Sequence, residues 1–573
     1  MGSKGLNNMK VNRNKAGVIL LWVAPMLFLL FFYFYPLGSI FSLVVTKIKI
    51  EGFQSIEWFR LWEPISFTFW QAILSTLATL IIGLPSAYVF ARFDFHGKRL
   101  IRILSTIPFI LPTIVVAAAF NTLLGPRGWI NILLMNLLNL VTPPINALHT
   151  LGAIVLAHVF YNTTIMIRVI GSAWTQIDPK IENAARVLGA SPFRTLLKIT
   201  MPLLMPSIMA ASLLVFLFDF TSFGVVLILG GPQFATMEVE IYIQALNMLN
   251  LQLAGLLSMI QLLFTLLFTV LYTKISGSKT IPITPSVKGE GVRRSETKKE
   301  RLLIIIVNSV LILLLVLPVI SLGVRSIVKI DADRGERGVI QTGLTFDYYK
   351  ELFINRRQSI FYVPPIEAVL NSMMYAALTV CLSVPLGILA SRALSKKALI
   401  NSFLDPILLL PLGTSAVTLG LGYILLYGKF RLHSTTFPWI IPIAHSLVAL
   451  PFVVRTIQPS LTSIPENIKE AAAILGASPG KVWREIELPI ILRAILVAAI
   501  FSFVISLGEF SATMFLTRPE YPTIPIAIYR FISQPGQLNY GQALSMSAIL
   551  MFVCGFSIFF IERFDTSGKN FLS

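Results

Sequence analysis

The sequence has few charged residues and almost no cysteine. Charged side chains make up 13% of its 573 residues, whereas hydrophobic ones make up 55%. Soluble domains carry about 25% charged residues, so this composition excludes a soluble globular protein and indicates a chain with many membrane-spanning segments. The two cysteines, Cys381 and Cys554, both lie inside apolar runs. This placement predicts neither a disulfide framework nor a cysteine metal site.

Acidic residues are scarce relative to basic ones. There are 27 Asp and Glu against 46 Lys and Arg, which gives a net charge of +19. In a soluble protein such an excess would suggest a nucleic-acid partner. Here the basic residues lie in short loops between apolar runs, where they indicate orientation in a membrane. We therefore expect a lipid bilayer around this chain and no nucleic-acid partner.

Twelve apolar segments meet or approach the length of a membrane span. An α-helix needs about 20 apolar residues to cross the bilayer, and these Leu- and Ile-rich runs are too long for the strands of a membrane barrel. The sequence therefore predicts an all-α polytopic membrane protein. The segments lie near residues 17–45, 69–91, 101–124, 148–171, 203–230, 251–273, 302–324, 366–391, 401–427, 438–458, 489–516 and 540–561.

The positions of Lys and Arg predict how the chain is oriented. These residues cluster before the first segment, after the second, and between positions 274 and 301. Because cytoplasmic loops are rich in Lys and Arg, we predict that these regions and both chain termini are cytoplasmic. Alternation then places 46–68, 231–250 and 325–365 outside. The long 325–365 loop carries charges of both signs, and we expect it to be a small folded external segment.

The chain contains an internal repeat. A shift of 287 residues places His158 on His445 and Phe223 on Phe510 without a gap. Six spans separate the copies, and because this number is even, both copies face the same way across the membrane. The sequence therefore predicts two tandem parallel domains of six helices each. Their predicted boundaries are 1–273 and 301–573, joined by a basic cytoplasmic linker at 274–300.

The most similar part of the repeat is the loop between the fourth and fifth spans of each half. Asp178 in the first copy, and Ser463 with Glu466 in the second, have the spacing of helix N-caps. Each predicted short helix then meets a glycine, Gly189 or Gly476, which tolerates the left-handed conformation of a helix end. A second short helix follows in each copy. Two equivalent loops on one membrane face suit a two-fold cytoplasmic partner.

These loops resemble the EAA coupling loops of type I ABC importer permeases, which contain Glu-Ala-Ala, then a glycine, then a downstream proline. The second loop matches this pattern, whereas the first has Asn183 in place of the glutamate and Glu182 one position earlier. The resemblance implies that one copy of an ABC ATPase docks on each loop. The implied coupling residues are Glu182, Asn183, Ala184, Ala185, Gly189 and Pro202 in the first loop, and Glu470, Ala471, Ala472, Gly476 and Pro489 in the second. The second short helix is expected to end at Pro202 or Pro489.

The fused pair of domains is similar to the thiamine and iron(III) ABC importer permeases. Segments 125–129, 157–162 and 230–233 resemble the thiamine branch, while 506–510 is also similar to molybdate and sulfate permeases. The resemblance implies a non-catalytic, multi-pass subunit in a bacterial or archaeal plasma (inner) membrane. Its solute would be thiamine-like or ferric iron, delivered by an external binding protein, with an oxyanion as the alternative. ATP and Mg would be bound by the partner ATPase, and no cofactor is expected in this chain.

A secondary, ion-coupled transporter of two parallel six-helix halves is the alternative class of function. It predicts inverted repeats within each half, and it gives no reason for the duplicated cytoplasmic loops. A membrane-embedded enzyme is a third class, but the sequence contains no cluster of catalytic or metal-binding residues.

Two acidic residues lie inside predicted spans, Asp219 in the fifth and Glu509 in the eleventh. Ionisable residues are costly within a membrane and are functional candidates by default. We predict that both line the translocation path, where paired acids would favour a cation. The alternative is that each accepts hydrogen bonds from a neighbouring helix. His158 and His445, which lie at equivalent positions of the repeat, are expected to be structural hydrogen-bonding groups.

Overall fold

The computed structural model describes residues 18–51, 58–277, 292–329, 343–355, 363–396, 398–430 and 439–564. Ten of the described helices are long and apolar enough to cross a membrane, or up to 11 spans when a bent pair is counted as one. These helices confirm the all-α fold with tandem domains. Helices dominate because every backbone amide in lipid needs a partner within its own segment.

The first half contains five long helices and several short ones. The long fourth span begins at Thr150, whose side chain accepts a hydrogen bond from the Ala153 amide and so caps the helix. The elements are α1 (Val18–Ile50), α2 (Trp58–Arg92), β1 (Phe93–Asp94), α3 (Lys98–Leu104), α4 (Ile107–Ile110), α5 (Thr113–Leu124), α6 (Trp129–Leu138), α7 (Leu151–Gln176), α8 (Pro179–Val187), α9 (Pro192–Phe220), α10 (Gly224–Leu229), α11 (Met237–Tyr242) and α12 (Leu251–Gly277).

The second half repeats this order, with a short strand before its first span. The elements are β2 (Arg293–Arg294), α13 (Lys298–Arg325), α14 (Asp347–Lys350), α15 (Pro365–Leu394), α16 (Ile400–Leu409), α17 (Ala416–Phe430), α18 (Ile440–Thr462), α19 (Glu466–Ile474), α20 (Pro479–Gly508), α21 (Ser511–Leu516), α22 (Ile524–Ile532) and α23 (Gln537–Phe564).

The third predicted span of each half is broken. In the first half the predicted segment 101–124 forms three separate helices, α3 to α5, of 7, 4 and 12 residues. In the second half α16 and α17 meet at a bend of 92°. A proline lies at each break, Pro112 in the first half and Pro411 in the second. Proline lacks an amide hydrogen and restricts the residue before it, which interrupts a helix that the apolar pattern alone predicts to be continuous.

The first span of each half packs against the other half. From α1, the Trp22 indole nitrogen donates to Asn401 Oδ1 at 2.9 Å, and the Tyr33 hydroxyl lies 2.5 Å from Thr414 Oγ1. From α13, Ser321 Oγ lies 2.8 Å from Thr122 Oγ1 in α5. The two sequence repeats are therefore interlocked in space, each completing the packing of its partner.

The predicted linker at 274–300 is only partly a linker. Helix α12 reaches Gly277, and α13 begins at Lys298 with a capping box made by Thr297 and Glu300. Within the described part, β2 forms a parallel pair with β1, and the Arg293 guanidinium lies 5.1 Å from the centre of the Phe93 ring. Residues 278–291 lie outside the described residues. The chain between the halves is therefore attached to the end of α2 where it enters the second half.

The predicted external segment 325–365 is described in part, because 330–342 and 356–362 lie outside the described residues. Val328 and Leu344 form an antiparallel bridge, and α14 follows. Tyr348 packs so closely on Gly541 of α23 that a side chain there would meet its ring at 2.2 Å. The described part of this segment is thus folded against the last span.

We predict that the contact of α1 with the second half stabilises the whole chain. Trp22 is 2% exposed, and replacing it with alanine should cost about 3–5 kcal/mol, since a large buried side chain is lost. Leu20 on the same helix is 74% exposed, and Leu20→Ala should change the stability by less than about 0.5 kcal/mol. Thermal unfolding of the purified full chain in detergent measures both. Coincident unfolding of the two variants would contradict the interlocked arrangement.

Candidate functional site

A cavity of about 450 Å³ lies between the two halves, among their fourth and fifth spans. Most of its lining is apolar. Three of its side chains carry an imidazole or a carboxyl group: His158, Asp219 and Glu509. The structure therefore places both acidic residues that the sequence singles out on one cavity, together with a histidine that was expected to be structural.

In the first half, Asp219 lies in the last turn of α9 and is fully buried. Its Oδ1 accepts a hydrogen bond from Asn162 Nδ2 at 2.6 Å and lies 3.5 Å from His158 Nδ1. The His158 ring also contacts two hydroxyls, Ser75 Oγ at 3.0 Å and Ser222 Oγ at 2.8 Å. Both ring nitrogens thus have polar neighbours, which fixes the orientation of the ring beside the carboxylate.

In the second half, Glu509 lies at the break between α20 and α21. Its two oxygens accept hydrogen bonds from the amides of Ala512 at 2.8 Å and Thr513 at 3.0 Å, and from the Thr513 hydroxyl at 2.7 Å. His445 Nε2 lies 3.3 Å from Glu509 Oε2, and His445 Nδ1 lies 2.7 Å from Ser506 Oγ. The carboxylate therefore holds the first turn of α21 in the manner of an N-cap.

The two halves use the same histidine but exchange the position of the acid. The 287-residue shift aligns Asp219 with Ser506, and Ser222 with Glu509. At these two aligned positions each histidine therefore contacts one serine and one carboxylate, in opposite order along the chain. Each acid is hydrogen-bonded within its own half, and their joint action on a translocation path stays a prediction. A carboxylate in a low-dielectric interior needs nearby donors, and the histidine and amide side chains supply them.

An aromatic cluster joins the two halves beside the cavity, and one of its rings, Phe223, lines the cavity. Phe223 and Phe510, equivalent in the repeat, stack with their ring centres 5.5 Å apart. Tyr242 lies 5.5 Å from Phe223, and its repeat equivalent Tyr529 lies 5.7 Å from Phe510. A side chain at Gly224 would meet the Phe510 ring at 3.1 Å, so the close approach of the halves depends on this glycine. The alignment of Phe223 with Phe510 was the sequence signal for this contact, but the tyrosines were missed.

Both repeated loops have the predicted helix-glycine-helix form. The Asp178 side chain accepts from the Lys180 amide and caps α8, and φ is +86° at Gly189 and +83° at Gly476. The predicted capping box of the second loop is wrong. Helix α19 begins after Pro465, while the Ser463 hydroxyl donates to the Ser460 carbonyl instead.

The second helix of each loop does not end at its proline. It passes through one π-helical turn, Leu196–Thr200 or Trp483–Glu487, and continues as the fifth span. Pro202 and Pro489 lie in the first turn after the π-helical segment, where the wider turn has already changed the hydrogen-bond pattern. The second short helix of each loop is therefore joined rigidly to the fifth span, since no break in helical structure separates them.

The tips of the loops carry strongly exposed apolar side chains. Val187 and Leu188 are 87% and 88% exposed, and the equivalent Ile474 and Leu475 are 86% and 88% exposed. Of the predicted coupling residues, the exposed ones are Asn183, Ala184, Gly189 and Pro202 in the first loop, and Glu470, Ala471, Gly476 and Pro489 in the second. Ala185 is buried, and Ala472 and Glu182 are partly buried.

Beneath each tip, one carboxylate binds the arginine at the end of the second span. Glu182 Oε1 lies 2.8 Å from an Arg92 nitrogen and accepts from Thr200 Oγ1 at 2.9 Å. In the second half the carboxylate comes from Glu487, which is the repeat equivalent of Thr200. It lies 3.4 Å from Arg392 and 3.5 Å from Lys469. We call these two contacts the first and second arginine clasps. Neither clasp was predicted from the sequence. The signal was the 287-residue shift, which places the acidic Glu182 of the first half opposite the basic Lys469 of the second.

The comparisons with known proteins agree with this architecture. Residues 79–277 and 383–565 each match the family described as "Binding-protein-dependent transport system inner membrane component". The two matches begin and end at similar points of the two repeats, as expected for a fused pair of equivalent domains.

The chain is also similar to several curated transport proteins. It is 26% identical over 519 residues to the thiamine transport system permease protein ThiP of Brucella suis biovar 1, covering 89% of both chains. It is 26% identical over 520 residues to ThiP of Escherichia coli (strain K12), covering 89% of this chain and 90% of that one. A 268-residue stretch, 46% of this chain, is 28% identical to 93% of PhnU of Salmonella typhimurium, which is provisionally named a 2-aminoethylphosphonate transport system permease protein. With two family matches on two interlocked helical repeats, this chain belongs to the binding-protein-dependent transport system inner membrane components, as a fused type I ABC importer permease.

Proposed function

We propose that this chain is the membrane-spanning subunit of an ATP-driven importer, with one ABC ATPase docked on each of its two coupling loops. The observation that carries the proposal is the duplicated apolar tip, Val187-Leu188 in one half and Ile474-Leu475 in the other, all strongly exposed. Exposed apolar side chains in a loop rich in polar residues are typical of a protein interface. Two equivalent tips fit two copies of one partner. The ATPases bind ATP and Mg, and this chain needs no cofactor.

The aromatic cluster and the cavity suit alternating access. With the loops in the cytoplasm, the cavity carboxylate Asp219 lies on the cytoplasmic side of the Phe223–Phe510 stack, since Asp219 is in the outward-running span α9 and Phe223 follows the end of that helix. The stack then closes the outer end. Closure of the ATPases would move the two halves against each other, separate the stack and expose the cavity to an external solute-binding protein.

The arginine clasps provide a physical link from loop to span. Glu182 in α8 joins Arg92 at the end of α2 and Thr200 at the base of α9. Movement of the loop is therefore transmitted to the second and fifth spans together. The second clasp reaches the same two spans of its half through Glu487 and Arg392.

A thiamine-like organic cation is the solute that we favour. The relatives that span most of this chain are named thiamine permeases, and the cavity combines aromatic walls with two carboxylates. Carboxylates in a low-dielectric site repel an oxyanion such as molybdate or sulfate. Ferric iron is the alternative cation, and an ion-coupled secondary transporter remains the alternative class.

Reconstitution tests the function directly. Proteoliposomes that contain the full chain, its ATPase and its binding protein should take up labelled thiamine only when ATP is supplied on the side of the membrane that carries the ATPase. A protonophore should have no effect on this uptake. Ferric iron and molybdate, tested in the same vesicles, distinguish the alternative solutes. Uptake that continues without ATP and stops with the protonophore would support the secondary transporter instead.

We predict that a charge on the loop tip prevents docking. Leu475→Glu should reduce retention of the co-expressed ATPase during purification by about tenfold or more, because it places a charge in an apolar contact. Leu399 is 93% exposed in the loop before α16, on the same membrane face, and Leu399→Glu serves as the matched control. Equal ATPase retention by the two variants would contradict docking at the tip.

We predict that Gly476 is required by its backbone conformation and not by space. No atom lies within 4 Å of a side chain built there, but its φ is +83°, which costs about 1–2 kcal/mol for other residues. Gly476→Val should therefore insert normally and lose most ATP-driven uptake. Gly480→Val, at an equally open position with ordinary φ, should retain it. Normal uptake by the Gly476 variant would contradict this coupling role.

We predict that the first arginine clasp couples ATP hydrolysis to transport. Glu182→Gln removes a charged partner worth about 1.5–3 kcal/mol, so uptake should fall at least tenfold while the assembled complex still hydrolyses ATP. Asp178→Asn removes a charge from the same helix but keeps its N-cap, and its uptake should remain near wild type. If ATP hydrolysis and uptake fall in parallel in the Glu182 variant, the clasp is required for assembly and not for coupling.

A further inference from the structure

The two carboxylates of the cavity differ in how completely they are bonded. Glu509 accepts hydrogen bonds on both oxygens, from Ala512 and from Thr513. Asp219 accepts on Oδ1 from Asn162, whereas its buried Oδ2 has no hydrogen-bond partner among the described residues. Buried polar atoms without partners are rare in native proteins, and each requires an explanation.

Neither protonation state of Asp219 provides a hydrogen-bond partner for Oδ2. If the carboxyl is ionised, Oδ2 is a buried charged oxygen without a donor, in a part of the protein surrounded by lipid. If it is protonated on Oδ2, that hydroxyl is a donor without an acceptor. The nearby His158 does not resolve this, because its Nδ1 approaches Oδ1 and its Nε2 faces Ser222. A positively charged group that enters from the cavity would complete the site.

The surroundings of Asp219 favour an organic cation over a metal ion. Among the described residues, no group of three His, Cys, Asp or Glu side chains is arranged to hold a metal ion. The cavity wall beside Asp219 contains the aromatic rings of Tyr161, Phe218 and Phe223, and Phe452 and Phe501 line the second half. Aromatic rings attract organic cations and pack against flat apolar bodies.

We propose that Asp219 is the solute-binding carboxylate of this permease, that it pairs with a small aromatic organic cation, and that Glu509 is structural. The inference rests on the proposed transport function and goes beyond it, because it places a binding site for the solute within the membrane. It also divides the two acids of the cavity into one that binds the ligand and one that holds α21. The exchange of the acid between repeat positions then has a consequence: of the two cavity acids, only Asp219 has an oxygen without a hydrogen-bond partner among the described residues.

Equilibrium binding of labelled thiamine to the purified full chain in detergent tests the proposal, with neither ATPase nor binding protein present. Asp219→Asn should weaken binding at least tenfold, since a buried charge partner is lost. Glu238→Gln is the matched control. Glu238 is equally buried, but it lies outside the cavity lining and both of its oxygens are bonded, to Gln261 and Ser415. The control should bind thiamine within about threefold of wild type, and equal losses in the two variants would overturn the proposal.

A competition experiment on the unaltered protein covers the case in which the Asp219 variant does not fold. An N-alkylated thiazolium cation should displace labelled thiamine, whereas the uncharged parent thiazole should be at least tenfold weaker, because only the former can pair with a carboxylate. Equal competition by both would overturn the proposal.

The outcome separates this inference from the proposed function. ATP-driven thiamine uptake in proteoliposomes without any thiamine binding to the isolated chain would refute the membrane site and leave the importer intact. Absence of ATP-driven uptake of every solute tested would refute the importer itself.

Discussion

A carboxylate buried between membrane helices must have donors or a cation beside it, and this requirement organises the centre of the molecule. Four buried or partly buried acids illustrate it. Glu509 meets the requirement with the first turn of α21, Glu238 with Gln261 and Ser415, and Glu182 with Arg92 and Thr200. Asp219 meets it only in part. The positions of the acids therefore determine where helices break, where the halves touch and where a ligand can complete the bonding.

The two halves preserve interactions and not residue positions. At the cavity the acid moves by one helical turn between the repeats, from Asp219 to Glu509, while the histidine stays in place. At the loops the acid moves from Glu182 in the short helix to Glu487 in the π-helical turn, while the arginine stays. Because a buried charge without a partner is strongly destabilising, an acid can change position only to a site that still reaches the same basic group. The pairing thus persists although the residues at equivalent positions differ.

Rigid connection and interlocking packing explain how loops far from the cavity can act on it. The second short helix of each loop continues without a break into the fifth span. That span carries Asp219 in the first half and ends at Glu509 in the second. The first span of each half packs against the other half, through Trp22 of α1 and Ser321 of α13, and so holds the two halves together. Movement of the loops is therefore transmitted to the Phe223–Phe510 contact, where the halves meet through two rings and no hydrogen bond between them. Such an apolar contact between rings can separate without leaving polar groups unpaired.

Composition, apolar runs and the 287-residue shift determined the all-α fold, the duplication and the two loops. These features follow from local constraints on the backbone. Lipid requires each span to satisfy its own backbone hydrogen bonds in a helix, and a glycine such as Gly189 or Gly476 tolerates the left-handed conformation that ends a helix. The sequence also identified Asp219 and Glu509, because charged residues inside spans are few. Tertiary structure alone decided which groups bond to these acids and how the first span of each half packs against the other half. It also decided the Phe223–Phe510 stack and the arginine clasps. Apolar periodicity predicts that a residue is buried but not which helix it faces. A separation of 199 or 379 residues between partners, as for Thr122 with Ser321 and Trp22 with Asn401, leaves no local signal. Which carboxylate oxygen remains free depends on the placement of every neighbouring donor, and only the folded chain sets that placement.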